Sequence, residues 1–320
     1  MAEHATNSEH ADAGHGGHGG HASNPLDPKE LFKHVEDSPE LHLPRFMTAD
    51  GSGHFKLPQP FKLDEPLVEV QTGNTLIDST IKPLDFKITK FMVIELAVAI
   101  LMCVFFIGLA RALKGGALAR SRFGNILEAM LLYFRDSVAR PCIGGHDADK
   151  FVPFLWTIFF FVLGCNLFGM IPWMGSPTGS LAVTGALAFT TFLVVMGAAV
   201  IKLGPMGTVK SFVPHMDLSP GLKIVLVPMI FVIEVFGMLI KHGVLAVRLL
   251  ANMMGGHVVL AVIMAFIAAS AQSLLWWVVT PTSVFGATAL SMLELFVAFL
   301  QAYIFTFLAA LFIGMAVHPH

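Results

Sequence analysis

The run from Leu222 to about Ala269 constrains this chain more than any other stretch. Apolar, helix-forming side chains fill it, interrupted only by Lys223, Glu234, Lys241, His242, Arg248, Asn252 and His257. A single apolar helix of that length suits a bilayer, where about 20 residues cross ~30 Å of hydrocarbon. As one helix, residues 222 to 267 reach about 69 Å at ~1.5 Å per residue, more than twice the hydrocarbon thickness. Either the run breaks near Lys241 to Val247, or it is one steeply tilted helix. Gly243 permits the break without demanding it, and the lack of proline between Pro228 and Pro281 favours continuity.

Further apolar runs at about 91–113, 151–173, 180–203 and 283–316 extend the same logic along the chain. Only 13% of residues are charged, against roughly 25% in a soluble domain, so lipid is the main solvent. The fold class expected is an all-α polytopic membrane protein. It has one N-terminal transmembrane helix, a membrane helix hairpin over 151–203 and two long C-terminal helices. Residues 119–141 differ from these spans. Ile126, Leu127, Met130, Leu131 and Phe134 alternate there with Arg120, Arg122, Glu128, Arg135, Asp136 and Arg140, a pattern for a helix lying on the membrane surface.

Residues 1–88 form a polar N-terminal region preceding a membrane domain over 89–317. Its first 24 residues are rich in His and Gly, cannot build a core and are expected to be disordered. His4, His10, His15, His18 and His21 stand among them, and the first 21 residues lack the basic and apolar segments of an ordinary secretory signal. Residues 22–88 carry scattered apolar anchors that suit short strands or a surface helix. Cys103, Cys142 and Cys165 have no metal-ligand spacing and no disulfide framework. No cofactor, metal or nucleic acid is expected, since a net charge of -2 gives no electrostatic footprint for the last.

Basic residues cluster from Arg111 to Arg140, while the turn at 174–180 has none. The positive-inside bias puts 114–150 in the cytoplasm and the N-terminus outside. Four further crossings return the C-terminus to the cytoplasm.

The polar residues inside the spans carry the chemistry. Glu234, Lys241 and Arg248 are spaced by seven, which keeps them on one broad helix face. Asn252 follows Arg248 by one turn, and Ala251 and Gly255 leave the nearby surface almost bare. An arginine stays charged at any physiological pH. It can pair briefly with a passing carboxylate, force it to ionise and repel a continuous proton wire. Glu234, His257 and Glu294 titrate and can relay protons. Glu294 and Gln301 share a face of the last helix. An antiparallel pairing that sets Arg248 opposite Gln301 sets His257 opposite about residue 292, within a turn of Glu294. The plainer readings stay open here. With a break at 241–247, Lys241, His242 and Arg248 become interfacial anchors. His257 and Asn166 also suit hydrogen-bonded helix packing.

VRLLANMMGGH at 247–257, LQAYIF at 300–305 and DKFVPFLWTIFFFVLGCNLFGMIP at 149–172 resemble subunit a of the F-type ATP synthase membrane sector. The likeness covers roughly 85–317. It implies a non-catalytic stator protein beside a rotating c-ring whose subunits carry an essential carboxylate, with b-type peripheral stalk subunits as further partners. Arg248 would separate two offset proton half-channels, with Asn252 and Gln301 as polar companions. Glu234, His257 and Glu294 would line the half-channel supplying protons from outside. Lys241 and Asn166 are weaker members of the set. The resemblance also implies that both C-terminal helices are steeply tilted, and that the membrane is a bacterial inner membrane. A Na⁺-translocating version of the subunit, a secondary transporter and a purely structural membrane protein are the alternatives. Two departures stand out. Some bacterial members have a carboxylate where this chain has His257 and a histidine where it has Glu294. Some also have an acidic residue at the position of Gly169.

Overall fold

The computed structural model describes residues 40–42, 54–57, 88–114, 122–145, 147–171, 174–211 and 220–318. The His-rich tail with His4, His10, His15, His18 and His21, most of 22–88, and Arg120 and Pro172 lie outside the described residues. Strands β1 (Glu40–His42) and β2 (His54–Lys56) pair antiparallel with Leu41 opposite Phe55. This small pair lies within 22–88, where short strands or a surface helix were expected, and it precedes the membrane helices.

The helical part runs α1 (Lys90–Lys114), α2 (Arg122–Tyr133), a π-helical turn (Phe134–Ala139), α3 (Arg140–Ile143), α4 (Ala148–Gly169), a 3-10 turn (Pro177–Gly179), α5 (Leu181–Ser211), α6 (Pro220–Ser270) and α7 (Trp276–Val317). Among the described residues, α1, α4, α5, α6 and α7 are long and apolar enough to cross a membrane.

Local chemistry explains most of the boundaries. The Thr89 hydroxyl accepts a hydrogen bond from the Met92 N–H at 3.5 Å, which caps α1. In α5 the chain kinks at Gly204, whose φ of 74° is a conformation that favours glycine, and Pro205 follows. The expected end at 203 is therefore a kink followed by one more short helical piece. α6 is continuous from Pro220 to Ser270, so the break considered at Lys241 to Val247 does not occur. Its path length is about 76 Å at ~1.5 Å per residue. α7 starts at Trp276, seven residues ahead of the expected 283, because Pro281 sits inside its second turn. There the missing N–H leaves the Trp277 carbonyl without its helical donor, one bond lost near the helix start, while the Thr282 hydroxyl donates to its own i−4 carbonyl, Val278, at 2.8 Å.

The core is a seam between α4 and α7, joined on one side by α2 to α3 and on the other by α5 and α6. Ala298, Ala302, Ala309 and Ala310 of α7 are fully buried, and these small side chains let helices approach closely. Phe134 of the π turn packs on Phe159 of α4 with ring centroids 4.4 Å apart, and the Trp156 indole N–H donates to the Leu131 carbonyl at 3.2 Å. At Gly314 an added Cβ would lie 1.9 Å from the Cys142 carbonyl oxygen, so α7 and α3 touch backbone to backbone. α1 attaches to α4 through Phe91, Ile94 and Val98 around Cys165. By contrast α6 buries only a narrow stripe including Leu245, Leu249 and Met253, and exposes Val244, Val247 and Ala251.

Charged residues gather where the amphipathic segment meets α4. Arg135 binds Asp149 through Nε at 2.9 Å, and Arg140 binds Asp136 at 2.8 Å. The Asp149 hydrogen bond raises the Arg135 pKa above its ordinary value. The wider turn shows in the Arg140 N–H, which reaches back five residues to the Arg135 carbonyl. Asp147 is buried and paired with Lys202 of α5 and, at 3.2 Å, with Lys150. The Lys202 hydrogen bond, with help from Lys150, holds its carboxyl down at about 2.

Candidate ion-translocation site

Arg248 lies on the exposed face of α6, one turn from half-buried Asn252, with Ala251 and Gly255 exposed beside it. Leu245 and Leu249, about 60° and 100° round the helix from Arg248, are buried, while Arg248 itself stays on the exposed side. No carboxylate among the described residues pairs with it. An unpaired cation on an apolar helix is costly unless a partner or water meets it there.

Glu294 and Gln301 are buried in α7, 7% and 4% exposed respectively. The Glu294 carboxyl rests on the backbone of α6: a Cβ at Gly256 would meet its Oε1 at 2.6 Å and its Cδ at 2.9 Å. Glycine at 256 is thus the condition for this carboxyl to lie between the two helices. The contact falls within one residue of the register expected from pairing Arg248 with Gln301. His257 and Glu294, expected within a turn of each other, share no hydrogen bond: Glu294 Oε1 and His257 Nε2 are both buried without a partner, as is Gln301 Nε2. One residue of difference along a helix turns the imidazole by about 100° away from the carboxyl. Each such buried polar atom costs about 1–3 kcal/mol, and a concentration of them marks a place not shaped for stability alone.

Asn166 has all its main contacts filled. Its Nδ2 donates to the Ala298 carbonyl at 3.3 Å, and its Oδ1 accepts from the Thr178 hydroxyl at 2.8 Å. Thr178 Oγ1 and Ser176 Oγ are 3.0 Å apart, and Thr178's proton is already committed, so Ser176 donates. This buried chain ties α4, the hairpin turn and α7 together one turn from Glu294. It also explains Gly169, where a Cβ would lie 2.4 Å from Ser176 Oγ. The space an acidic side chain would need is filled by that serine.

Glu234 does not join His257 and Glu294. It is 23 residues from His257 on one continuous helix, about 34 Å at ~1.5 Å per residue. Glu234 instead lines a cavity of about 100 Å³ with Lys241 and His242 of α6, Ser211 of α5 and Phe312 of α7. His242 is 3% exposed, and its imidazole lies against Phe192 and Phe312 with centroids 5.4 and 4.8 Å away. Its burial, the Gly256 cradle and the Ser176–Thr178 chain were not singled out in the sequence. For His242 the signal was its place four residues after Met238 and eight after Glu234, on one helical side.

Fold and site together define a polytopic helical membrane protein that buries ionisable groups between its longest helices and holds a fixed cation on an outer face. A profile of the ATP synthase A chain family matches residues 91–314. ATP synthase subunit a of Myxococcus xanthus (strain DK1622) is 41% identical over 241 residues, covering 74% of this chain and 76% of that protein. The subunit a of Chloroherpeton thalassium is 39% identical over 238 residues, 73% of this chain and 67% of its own. That of Anaeromyxobacter sp. (strain Fw109-5) is 35% identical over 302 residues, 91% of this chain and 70% of its own. The chain belongs to the ATP synthase A chain family. It is accordingly a membrane protein and a non-catalytic component of the ATP synthase.

Proposed function

We propose that the chain conducts protons as the stator channel of a rotary ATP synthase, with Arg248 dividing two offset half-channels. The observation that carries this is the position of Arg248 on the partner-free face of α6, between two separate sets of ionisable groups. His257 and Glu294 lie toward one end of the helix, and the cavity with Glu234 and Lys241 lies toward the other.

In this reading a carboxylic acid of the neighbouring c-ring arrives at the α6 face protonated. Near Arg248 it ionises, because the guanidinium stabilises the carboxylate and cannot itself give up a proton. The proton leaves through the cavity beside Glu234, and the carboxylate is reprotonated from the His257/Glu294 side after passing Arg248. Asn252 and Gln301 supply hydrogen bonds along that face. Asn166 acts on Glu294 by holding α7 in place. The Glu234 cavity opens at the end carrying the C-terminus, which the basic cluster of Arg111 to Arg140 assigns to the cytoplasm of a bacterial inner membrane. The N-terminus is then outside. The charged α2–α3 segment offers the contact for b-type peripheral stalk subunits.

The test is ATP-driven proton pumping in inside-out vesicles for wild type and Arg248→Ala, in low and high Na⁺. Pumping that ignores Na⁺ and vanishes in the assembled variant is the expected result. A Na⁺ requirement would reassign the ion. Undiminished coupled pumping in R248A would remove the arginine from the mechanism.

A further inference from the structure

His242 is the one histidine among the described residues that lies in the wall of the Glu234 cavity. Its Nδ1 is 2.9 Å from the Met238 carbonyl oxygen. A carbonyl only accepts, so Nδ1 carries the ring proton, and in the neutral ring Nε2 is left as a lone pair. Nε2 is buried and has no protein partner. Packing between Phe192 and Phe312 accounts for the ring's body but not for an unpartnered basic nitrogen on a residue that lines the same cavity as Glu234 and Lys241.

The position along α6 is as informative. His242 is six residues from Arg248 and eight from Glu234, about 9 and 12 Å along the axis at ~1.5 Å per residue. Either interval exceeds a direct hydrogen bond, while the cavity of about 100 Å³ has room for several waters. The groups facing it are few. α6 supplies Glu234 and Lys241, α5 supplies the Ser211 hydroxyl, and α7 supplies only Phe312, Met315 and Ala316.

We propose that His242 is a proton-transfer residue of the half-channel that opens at the Glu234 cavity. The proposal rests on the half-channel reading given above. Nε2 takes one proton from a water on the Arg248 side and returns one to a water on the Glu234 side. Nδ1 keeps its proton throughout, so the ring ends as it began and one H⁺ has moved. In ATP-driven pumping the order is reversed.

The experiment uses inside-out vesicles holding the complete complex, with pumping rates measured from pH 6 to 8.5 for wild type, H242Q, H242F and R248A. H242Q keeps a donor for the Met238 carbonyl, and H242F keeps the ring contacts; neither titrates. Expected for both, at wild-type assembly, is a loss of about 10²-fold or more, the low end of the ~10²–10⁴ contributed by positioned acid–base groups. The residual rate should also lack the imidazole ionisation present in the wild-type profile. Either assembled variant pumping at the wild-type rate with the wild-type profile overturns the assignment. Failure of both to assemble makes His242 a packing residue and overturns it as well. R248A separates the two readings. If it loses pumping while H242Q and H242F retain it, only the role of His242 falls. If it pumps normally, the gated path fails irrespective of His242.

Discussion

Replacing Gly256 with alanine tests whether the Glu294 carboxyl functions where it lies. The new Cβ would meet Glu294 Oε1 at 2.6 Å, Cδ at 2.9 Å and Cγ at 3.4 Å. An ordinary carbon–oxygen contact is about 3.3 Å, so the carboxyl must withdraw by roughly 0.7 Å. The obstructing atoms belong to a flexible side chain, which makes the substitution tolerable for folding. A rotation of that kind costs about 0.5–1.5 kcal/mol when it leaves a staggered well. If the proton must reach Glu294 in its present place, the same energy enters the transfer barrier, and 1.36 kcal/mol is tenfold in rate. ATP-driven pumping in G256A vesicles is therefore expected to fall about 3- to 10-fold with assembly unchanged. The shorter side chain of Glu294→Asp relieves the clash, so the two substitutions should couple by about 0.5 kcal/mol or more. Wild-type pumping in G256A, or strict additivity in the double variant, would refute the argument.

Two further outcomes follow from the packing outside the site. Gly314→Ala places a Cβ 1.9 Å from a backbone carbonyl, so α7 and α3 must separate by about 1.4 Å to reach ordinary contact. A loss of about 1–3 kcal/mol is expected from SDS titration of the folded protein in mixed micelles. Gly286→Ala on the same helix meets nothing within 4 Å and should be neutral or slightly stabilising. At Asp147 the folded carboxyl titrates at about 2 because of Lys202 and Lys150, below the ordinary ~3.9. Its contribution is present above pH ~4 and lost as pH falls through about 2. The thermal stability of D147N in neutral detergent should lie below wild type at pH 6, and the gap should close between pH 4 and 2.

Hydropathy reads the long helices well because their length is set by the bilayer. The run expected at 91–113 is α1 over Lys90–Lys114, and a continuous α6 follows from the lack of an internal proline beyond Pro228. Boundaries near special residues read less well. The run expected from 283 begins at Trp276 with Pro281 inside the helix, since a proline close to a helix start removes only one bond. In the site, periodicity put Glu234, Lys241 and Arg248 on one side of α6, and the antiparallel register came within one residue. It did not show that Gly256, and not His257, is the residue of α6 that faces the Glu294 carboxyl. Nor did it show that Ser176 occupies the space above Gly169. Those facts depend on how separate elements meet, and the spacing of residues within one helix carries no record of that.

A stator must also resist being pushed sideways. The approach of Gly314 to the Cys142 carbonyl leaves no clearance, so a lateral force on α7 reaches the short helix α3 without α7 first having to move. The charged pairs of Arg135 and Arg140 with Asp149 tie the same corner to the start of α4. Among the described residues α6 has no such brace along its outer face, where Val244, Val247, Arg248 and Ala251 are exposed. The braced helix and the unbraced one lie side by side, with the Glu294 carboxyl between them at Gly256. A sideways load on α6 would then be felt first at the contact between Gly256 and the Glu294 carboxyl.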